Sequence, residues 1–315
     1  MMFSLSDVYG ALKRISGYTR KTPLYLSPSL TSIYDLDVFL KLENYQVTGS
    51  FKVRGVFNKF LKNLELFQGE KIVTVSAGNH AIAVSYASRI LGFDPIIIVP
   101  ANVTNLKRRR IEAYGVRIHV YGRDYDEAET YAKELAEENN YFFVSPYNDI
   151  DIIEGNSTIA LEVLEENPKI DIFIVPVGGG GLISGISFVA KKMSEKIRVI
   201  GVQSEASPAM FESVRRGRIV KIDLQPSIAD GLHGNIEDNS ITFDFVKKFV
   251  DEILLVSEEE IRDTIKLLFE VEGILIEGSA AVTIAALNRY KRKFRNKKVC
   301  LVLSGGNIDP QILVS

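Results

Sequence analysis

A lysine stands in this sequence where a strand pattern gives way to a helix pattern. The segment DVFLKL, residues 37–42, alternates apolar and polar residues as a short strand does, whereas VFNKFLKNL, residues 56–64, has apolar residues at helical spacing. Lys52 lies between them, directly after Gly49, Ser50 and Phe51. Most lysines are solvated surface charges. A lysine at the carboxyl end of a strand can also act as a nucleophile or a base, so the rest of the site must decide its role.

A run of four glycines, Gly178–Gly181, stands between the apolar segment IDIFIVPV and the helical pattern LISGISFVAKKM. Such a run leaves backbone N–H groups unshielded at the positive end of a helix dipole, which favours a phosphate group. One glycine would suffice for a tight packing turn. The G-x-G-x-x-G spacing of dinucleotide sites meets Ile183 or Ser184 at its third position, and no Walker-type Gly-Lys-Ser/Thr follows. The sequence therefore predicts a site for a small monophosphate.

A lysine and a monophosphate site together indicate pyridoxal phosphate, which is held by its phosphate and by a Schiff base to a lysine. Two further junctions rich in Gly, Ser and Asn also follow strand patterns, SAGNH at 76–80 and SGGN at 304–307. Ligands of open α/β sheets bind outside the carboxyl ends of the strands. We therefore expect the lysine, the glycine run and these two junctions to meet in one site.

The motifs TGSFKVRG, SAGNHA, VGGGGL and LSGGN, in this order and spacing, resemble those of the fold type II, or tryptophan-synthase-β-like, pyridoxal phosphate enzymes. The chain is most similar to their threonine/serine dehydratase and serine racemase group, over essentially its whole length. The resemblance implies that Lys52 carries the cofactor as a Schiff base and that Phe51 packs near it. Asn79 would bond the 3′-oxygen of the cofactor, and Ser304 would face its pyridine nitrogen. Backbone amides would hold the phosphate, namely those of Gly178, Gly179, Gly180, Gly181 and Leu182.

The resemblance also assigns the SAGNH junction to the carboxylate of an amino-acid substrate. The residues expected to contact it are Ser76, Ala77, Gly78, Asn79 and His80. Residue type leaves other interpretations open: Asn79 is a candidate helix N-cap, Ser304 a candidate turn residue, and His80 a structural polar residue. Glu277 either supports the cofactor from below its ring or is simply a charge at a helix N-terminus.

The implied reaction is β-elimination from L-threonine, L-serine or both, giving 2-oxobutanoate or pyruvate plus ammonia. The Lys52 amine is the natural base for the α-proton. Racemisation needs a second acid/base, and Ala77 stands where racemases of this group carry a serine. Tyr147 points the same way, because the racemases have asparagine there and dehydratases tend to have an aromatic residue. We therefore expect a threonine ammonia-lyase, with serine dehydratase activity as a further expectation.

Three alternatives remain open: an amino-acid racemase, a β-replacement enzyme of the cysteine-synthase type, and a phosphate- or nucleotide-binding module without catalysis. No divalent metal ion is expected to be required. The segment that carries acidic metal ligands in eukaryotic serine racemases here offers Glu205 alone, beside Gln203 and Ser207, which is a poor site for a hard cation. Dependence on a monovalent cation is left open. A regulatory ACT-type domain is not expected, because the chain stops shortly after SGGNID. The segment IEGNSTIALEV departs from the group's usual IAGQGT pattern at Glu154, Asn156 and Ser157. If that segment touches the substrate, the substrate is expected to be unusual.

Apolar strand patterns alternate with helical patterns from about residue 70 onward, which is typical of parallel sheets covered on both faces. We expect an α/β protein of two intimately packed domains, each a mostly parallel twisted sheet flanked by helices. Residues 1–48 and 148–315 are predicted to form a large cofactor-binding domain, and residues 49–147 a small domain that contributes the substrate loop. A helix is predicted over residues 156–168, and an irregular segment over residues 205–251.

The composition is that of an ordinary globular enzyme, with 46% hydrophobic residues, 25% charged residues and a net charge of −2 over 315 residues. This charge gives no reason to expect nucleic acid or a membrane as a partner, and KRRR at 107–110 is interpreted as the solvent face of a helix. Cys300 is the single cysteine, and no signal-peptide pattern is present. We expect a cytoplasmic homo-oligomer, a dimer or a tetramer.

Overall fold

The apolar strand patterns build two sheets in the computed structural model, which describes residues 3–101, 103 and 105–314. The strands within these residues are β1 (Leu24–Leu26), β2 (Val38–Lys41), β3 (Lys71–Val75), β4 (Asp94–Val99), β5 (Arg117–Val120), β6 (Phe142–Phe143), β7 (Ile172–Pro176), β8 (Arg198–Ser204), β9 (Glu252–Val256) and β10 (Val299–Val302). One sheet has six strands in the order β1-β2-β10-β7-β8-β9, and the other has four in the order β5-β4-β3-β6.

Helices fill most of the chain between the strands. Those in the described residues are α1 (Leu5–Ile15), α2 (Pro28–Tyr34), α3 (Lys52–Lys62), α4 (Leu64–Phe67), α5 (Asn79–Leu91), α6 (Asn105–Glu112), α7 (Tyr125–Asn139), α8 (Ile150–Glu166), α9 (Gly181–Met193), α10 (Ala209–Arg216), α11 (Ile241–Phe249), α12 (Glu258–Glu272), α13 (Gly278–Arg289) and α14 (Gln311–Val314). Short 3₁₀ helices lie at Glu43–Tyr45, Asp230–Leu232 and Lys291–Phe294.

Both sheets are parallel throughout, except that β1 pairs antiparallel with β2. The central strand β7 is buried at every position, as expected when helices cover both faces of a parallel sheet. Phe173 and Val175 pack with α8, α9 and α11, whereas Ile172 and Ile174 pack with α12 and α13. The expected α/β class, with mostly parallel sheets flanked by helices, is confirmed.

The two sheets draw on different parts of the chain. The six-stranded sheet takes its strands from residues 24–41 and 172–302, and the four-stranded sheet takes its strands from residues 71–143. Helix α3 lies between them and packs against both α8 and α5. The domain boundaries given above, 1–48 with 148–315 and 49–147, stay a prediction.

Two predicted elements are wrong in extent. Helix α8 begins at Ile150 rather than at residue 156, because the Asp149 side chain caps it by accepting hydrogen bonds from the Asp151 and Ile152 amides at 2.8 and 3.2 Å. The segment 205–251 is not irregular throughout, since it contains α10 and α11. Both helices are only two or three turns long, so their apolar spacing was obscured by the turn residues around them.

Candidate active site

A cavity of about 730 Å³ lies where strand ends of both sheets face each other. It brings together all four sequence junctions, although they are spread over residues 48–307 of the chain. Its lining includes every residue that the sequence assigned to the site, namely Phe51, Lys52, Ser76, Ala77, Gly78, Asn79, His80, Gly178, Gly179, Gly180, Gly181, Leu182 and Ser304.

Lys52 is the first residue of α3, with Phe51 as the N-cap. Its Nζ donates a hydrogen bond to the Pro146 carbonyl oxygen at 2.8 Å and lies 5.3 Å from the centre of the Phe51 ring. Burial lowers the pKa of Lys52 to about 8, against the opposing pull of the Glu277 carboxylate. The neutral amine is therefore far more accessible than in a surface lysine, and this suits a nucleophile or a base.

The glycine loop has the geometry of an anion cradle. Within the described part of the chain, none of the five backbone amides of Gly178–Leu182 donates a hydrogen bond, and the loop opens the 13-residue helix α9. Gly180 has a φ of 93°, and a Cβ at Gly179 would lie 2.5 Å from Cγ of Tyr147. Side chains are thus excluded at both positions. The free amides at the positive end of a helix fit a phosphate group.

The SAGNH loop has a similar construction at the start of α5. The N-cap of this helix is Gly78, so the interpretation of Asn79 as the N-cap is wrong. The Ser76 hydroxyl accepts a hydrogen bond from the Gly78 amide at 3.1 Å. The amides of Asn79 and His80, in the first turn, have no acceptor among the described residues. This end of the helix therefore fits a carboxylate.

His80 is buried and neutral. Its Nε2 lies 3.0 Å from the Thr74 hydroxyl, which itself donates to the Val144 carbonyl oxygen at 2.6 Å, so Nε2 carries the proton and donates. Burial, with Lys52 nearby, lowers the pKa of His80 to about 3. An imidazole that stays neutral and is tied to the protein this way supports the structural interpretation of this residue over an acid/base one.

Asn79 is held by two side chains that sequence reasoning left without a firm role. Its Nδ2 donates to Oε1 of Glu277 at 2.7 Å, and its Oδ1 accepts from Nδ2 of Asn307 at 2.7 Å. Asn307 also donates to the Thr48 carbonyl oxygen at 2.9 Å, which links the SGGN and TGSFK junctions. Asn307 ends the SGGN motif, so the motif itself was the signal for it.

Glu277 precedes α13, but its side chain makes no capping hydrogen bond there. Burial raises the pKa of Glu277 to about 7, and the Asp230 carboxylate adds to the effect. The contact with Asn79 favours the interpretation in which Glu277 supports the site over the interpretation as a plain helix-end charge.

Ser304 and Tyr147 complete the walls of the cavity. The Ser304 carbonyl oxygen accepts from the Phe51 amide at 3.0 Å, and its hydroxyl has no partner within the residues that the structure covers. The Tyr147 ring lies under Gly179, and its hydroxyl accepts from the Glu237 amide at 3.0 Å. Tyr147 is thus fixed at both ends, between the glycine loop and the segment before α11.

The basic run at 107–110 does more than face solvent. Arg108 and Arg109 are exposed, but Lys107 and Arg110 are half-buried and line the cavity. Lys107 forms an ion pair with Asp230 on the far side of the cavity. The prediction of a purely solvent-facing run is therefore wrong for two of its four residues.

The unusual residues of the segment IEGNSTIALEV lie away from the cavity. Glu154 in α8 pairs with Lys62 at 2.6 Å and with Arg14 at 3.3 Å. The Ser157 hydroxyl donates to the Ile153 carbonyl oxygen within the same helix. Asn156 donates from Nδ2 to the Gly181 carbonyl oxygen at 3.4 Å, so it contacts the end of the glycine loop. None of the three residues lines the cavity, so they give no reason to expect an unusual substrate.

The arrangement of a buried lysine, a glycine cradle and a carboxylate-binding loop agrees with what comparison with known proteins shows. Residues 15–305 match the family described as "Pyridoxal-phosphate dependent enzyme". The chain belongs to this family. Its cofactor is accordingly pyridoxal phosphate, and the open amides of the glycine loop and the buried Lys52 amine fit the two ends of that molecule.

Similar proteins include a threonine ammonia-lyase, a threonine deaminase and a serine racemase. The chain is 39% identical over 312 residues to the L-threonine ammonia-lyase of Thermotoga maritima, covering 99% of this chain and 77% of that protein. It resembles the structure of maize serine racemase with a TM-score of 0.92 at 30% identity, over 100% of this chain and 96% of that one. It also resembles the crystal structure of the T.th. threonine deaminase, with a TM-score of 0.89 at 33% identity over 98% of this chain and 99% of that one.

Two kinds of feature are absent from the described residues. None of their helices is long and apolar enough to cross a membrane. Among the same residues, no group of three or more His, Cys, Asp or Glu side chains is placed to hold a metal ion. A site that needs no metal stays a prediction.

Proposed function

We propose that the protein is a threonine ammonia-lyase, which converts L-threonine to 2-oxobutanoate and ammonia and L-serine to pyruvate and ammonia. The observation that carries the proposal is the Lys52 amine, whose pKa is lowered by burial and which shares one cavity with an open anion cradle. The names of two relatives, a threonine ammonia-lyase and a threonine deaminase, support the substrate class.

In this proposal the substrate is oriented by its carboxylate. The amides of Asn79 and His80, together with the Ser76 hydroxyl, bind the carboxylate at the start of α5. The amides of the glycine loop would bind the cofactor phosphate, and Asn79 would contact the cofactor ring. Holding both molecules in one cavity would place the substrate Cα near Lys52.

In this proposal Lys52 is the residue that removes the proton from the substrate Cα. When bound, pyridoxal phosphate supplies an electron sink that makes the Cα proton of the attached amino acid acidic. The neutral Lys52 amine takes that proton, since a pKa of about 8 leaves part of the amine unprotonated near neutral pH. Lys52 then gives up the proton that it has taken, so that the β-hydroxyl can leave as water. The released enamine takes up one water and gives the 2-oxo acid and ammonia.

In this proposal Ser304 favours elimination over transamination. A hydroxyl can share a hydrogen bond with the ring nitrogen but does not protonate it, as an aspartic acid would. Excess charge on the substrate is therefore less stabilised, which favours prompt loss of the β-hydroxyl over other fates of the substrate.

Serine racemisation is the second candidate, and the similarity to maize serine racemase favours it. Ala77 weighs against it, because its methyl group lines the cavity where an acid/base would have to stand and cannot carry a proton. Chiral chromatography of L-serine after incubation with the enzyme tests this candidate. Accumulation of D-serine faster than pyruvate would replace the lyase proposal with the racemase.

The first prediction concerns Lys52. Purified, cofactor-loaded enzyme should release 2-oxobutanoate from L-threonine, and Lys52→Ala should lower kcat by about 10²–10⁴-fold because the base is lost. Lys59→Ala is the matched control, since Lys59 lies on the same helix but pairs with Asp149 and Asp151 away from the cavity. A Lys52→Ala enzyme with wild-type turnover would refute the assignment, and a cofactor-loaded wild type that releases no 2-oxo acid would refute the reaction.

The oligomeric state and the location in the cell are further parts of the proposal. Homo-oligomer formation is supported by the family resemblance and by exposed apolar side chains at Leu26, Ile33 and Phe269. A cytoplasmic location is supported by the composition and by the single buried cysteine, Cys300. Sedimentation of the purified protein tests the first, and cell fractionation tests the second.

A further inference from the structure

Arg54 is fully buried, two residues after Lys52 in the first turn of α3. Its guanidinium group forms paired hydrogen bonds with two carboxylates. Nε and Nη2 donate to Glu43 at 2.8 and 2.9 Å, and Nη1 and Nη2 donate to Glu162 at 2.7 and 2.9 Å. The Thr158 hydroxyl and the Arg20 carbonyl oxygen accept further bonds at 3.2 and 3.1 Å.

Lys41 completes the cluster, since its Nζ donates to Glu162 at 2.6 Å and to the Thr22 carbonyl oxygen at 2.7 Å. Two cations and two carboxylates therefore balance, and each of these four side chains is at most 3% exposed. Desolvating four charges is expensive, and apolar residues of similar volume often stabilise a protein as well or better. Stability alone is thus a poor explanation for this cluster.

The position of the cluster suggests another explanation. On a helix with 3.6 residues per turn, residues two apart point in directions about 200° apart. Lys52 faces the cavity, so Arg54 holds the same turn from behind. The N-cap of this turn, Phe51, makes no side-chain capping bond, although its backbone amide donates to the Ser304 carbonyl oxygen at 3.0 Å. Arg54 supplies the side-chain anchor that the N-cap does not provide. Arg54 joins the turn to the 3₁₀ helix Glu43–Tyr45 through Glu43 and to α8 through Glu162 and Thr158.

We propose that Arg54 is a positioning residue for Lys52, and that its paired bonds to Glu43 and Glu162 fix the direction in which the Lys52 amine enters the cavity. Arginine suits this task because its planar fork binds two carboxylates in one geometry, which lysine cannot do. The inference rests on the role of Lys52 under the proposed function. Arg54 does not itself line the cavity, so it acts only through the helix turn.

The test compares Arg54→Lys and Glu43→Gln with the wild type in the cofactor-loaded enzyme. Arg54→Lys keeps the charge but not the fork, and Glu43→Gln keeps the shape but weakens one side of it. We expect kcat for L-threonine to fall about 10–100-fold in Arg54→Lys, and less in Glu43→Gln, because a displacement of about 1 Å has that effect. KM should stay within a factor of about three, since the carboxylate-binding loop is unchanged.

Two readouts separate positioning from simple destabilisation. The limb of the kcat pH profile that reports Lys52 should shift, and the absorbance of the bound cofactor should change, in variants whose circular dichroism is that of the wild type. Lys62→Met is the matched control, because Lys62 also joins α3 to α8 but lies about two turns beyond Arg54 along the helix and is 37% exposed. It should leave kcat and the pH profile unchanged.

The possible outcomes separate the positioning role of Arg54 from the proposed function. If folded Arg54→Lys and Glu43→Gln keep the wild-type kcat, pH profile and absorbance and only melt earlier, the positioning role is refuted while the proposed function stands. If Arg54→Lys does not fold, Glu43→Gln decides alone on the same criteria. If Lys52→Ala itself keeps wild-type turnover, the proposed function fails, and the inference about Arg54 fails with it.

Discussion

Glu277 is a buried carboxylate whose pKa is set by its surroundings in the cavity. It accepts a hydrogen bond from Asn79, lies within the cavity lining and has Asp230 nearby. Burial, reinforced by Asp230, raises its pKa to about 7 from an ordinary value of 4.5. An acidic group whose pKa is raised on folding binds its proton more tightly in the native state than in the unfolded state. Between these two pH values the native protein therefore loses stability as the pH rises.

Glu277→Gln should remove that loss, because the amide is close in shape and still accepts from Asn79. We expect the variant and the wild type to have about equal free energies of unfolding at pH 4.5. The free energy of unfolding of the variant should exceed that of the wild type increasingly up to about pH 7, and by a constant amount at higher pH. An advantage on the order of 1–3 kcal/mol is expected from a shift of this size. Denaturant melts across this pH range measure it. A difference that does not vary with pH would show that Glu277 keeps its ordinary pKa in the folded protein.

The Lys107–Asp230 ion pair joins α6 to the 3₁₀ helix Asp230–Leu232 across the cavity. The partners come from the two sides of the molecule that carry the four-stranded and the six-stranded sheet. Lys107 is 25% exposed and Asp230 is 46% exposed, so water screens the pair and limits its strength. Its location gives it a role that its strength does not, because both partners line the cavity.

Lys107→Ala should therefore loosen the contact between these two walls of the cavity without altering the chemistry. We expect KM for L-threonine to rise about 2–5-fold with kcat little changed, as follows from the loss of one screened ion pair. Asp230→Asn should have a similar effect, and the double variant should be no worse than either single variant. Steady-state kinetics at low and high salt check this, because salt should weaken the wild-type pair.

Arg108→Ala provides the control for this prediction. Arg108 neighbours Lys107 on α6 but faces solvent and pairs with Glu112 on the same helix. It should leave KM unchanged. Equal effects of Arg108→Ala and Lys107→Ala would mean that the overall positive charge of α6 matters, and not a link across the cavity.

The same elements show what the sequence could and could not reveal. Strands β3, β4, β7 and β10 were predictable because their continuous apolar runs end in glycine- or serine-rich junctions or at a proline. Lys52 and Gly178–Gly181 were predictable because few chemistries need those residues there. Lys107 and Asp230 were not, because they meet only through the three-dimensional arrangement of the sheets, and neither belongs to a motif that signals the contact.

Arg54 illustrates the same limit inside a motif. The motif TGSFKVRG contains it, but an arginine beside a lysine at the start of an amphipathic helix is more often a surface residue. Its carboxylate partners, Glu43 and Glu162, lie 11 and 108 residues away along the chain. Only the packing of α3 against α8 shows that the arginine is buried and fully paired.

At the scale of the whole molecule, the cavity is built jointly by residues that follow strands of both sheets. Its lining combines Ser76–His80, which follow a strand of the four-stranded sheet, with Gly178–Leu182 and Ser304, which follow strands of the six-stranded sheet. A ligand that contacts only the glycine loop touches one side. Pyridoxal phosphate, which is also expected to reach Lys52 and Asn79, would contact both sides.

Binding of the whole cofactor should therefore protect both halves of the molecule, whereas inorganic phosphate should protect only one. We expect saturating pyridoxal phosphate to slow hydrogen exchange in peptides covering residues 71–91 and 172–193, and phosphate to slow it only in the second region. At a free concentration of about 100 times Kd, binding adds about 2.7 kcal/mol to the stability of the native state. Slow exchange shared by both regions under phosphate alone would mean that the two sheets are already rigidly coupled without the cofactor. Protection by pyridoxal phosphate confined to residues 172–193 would mean that Asn79 and the SAGNH loop do not contact it.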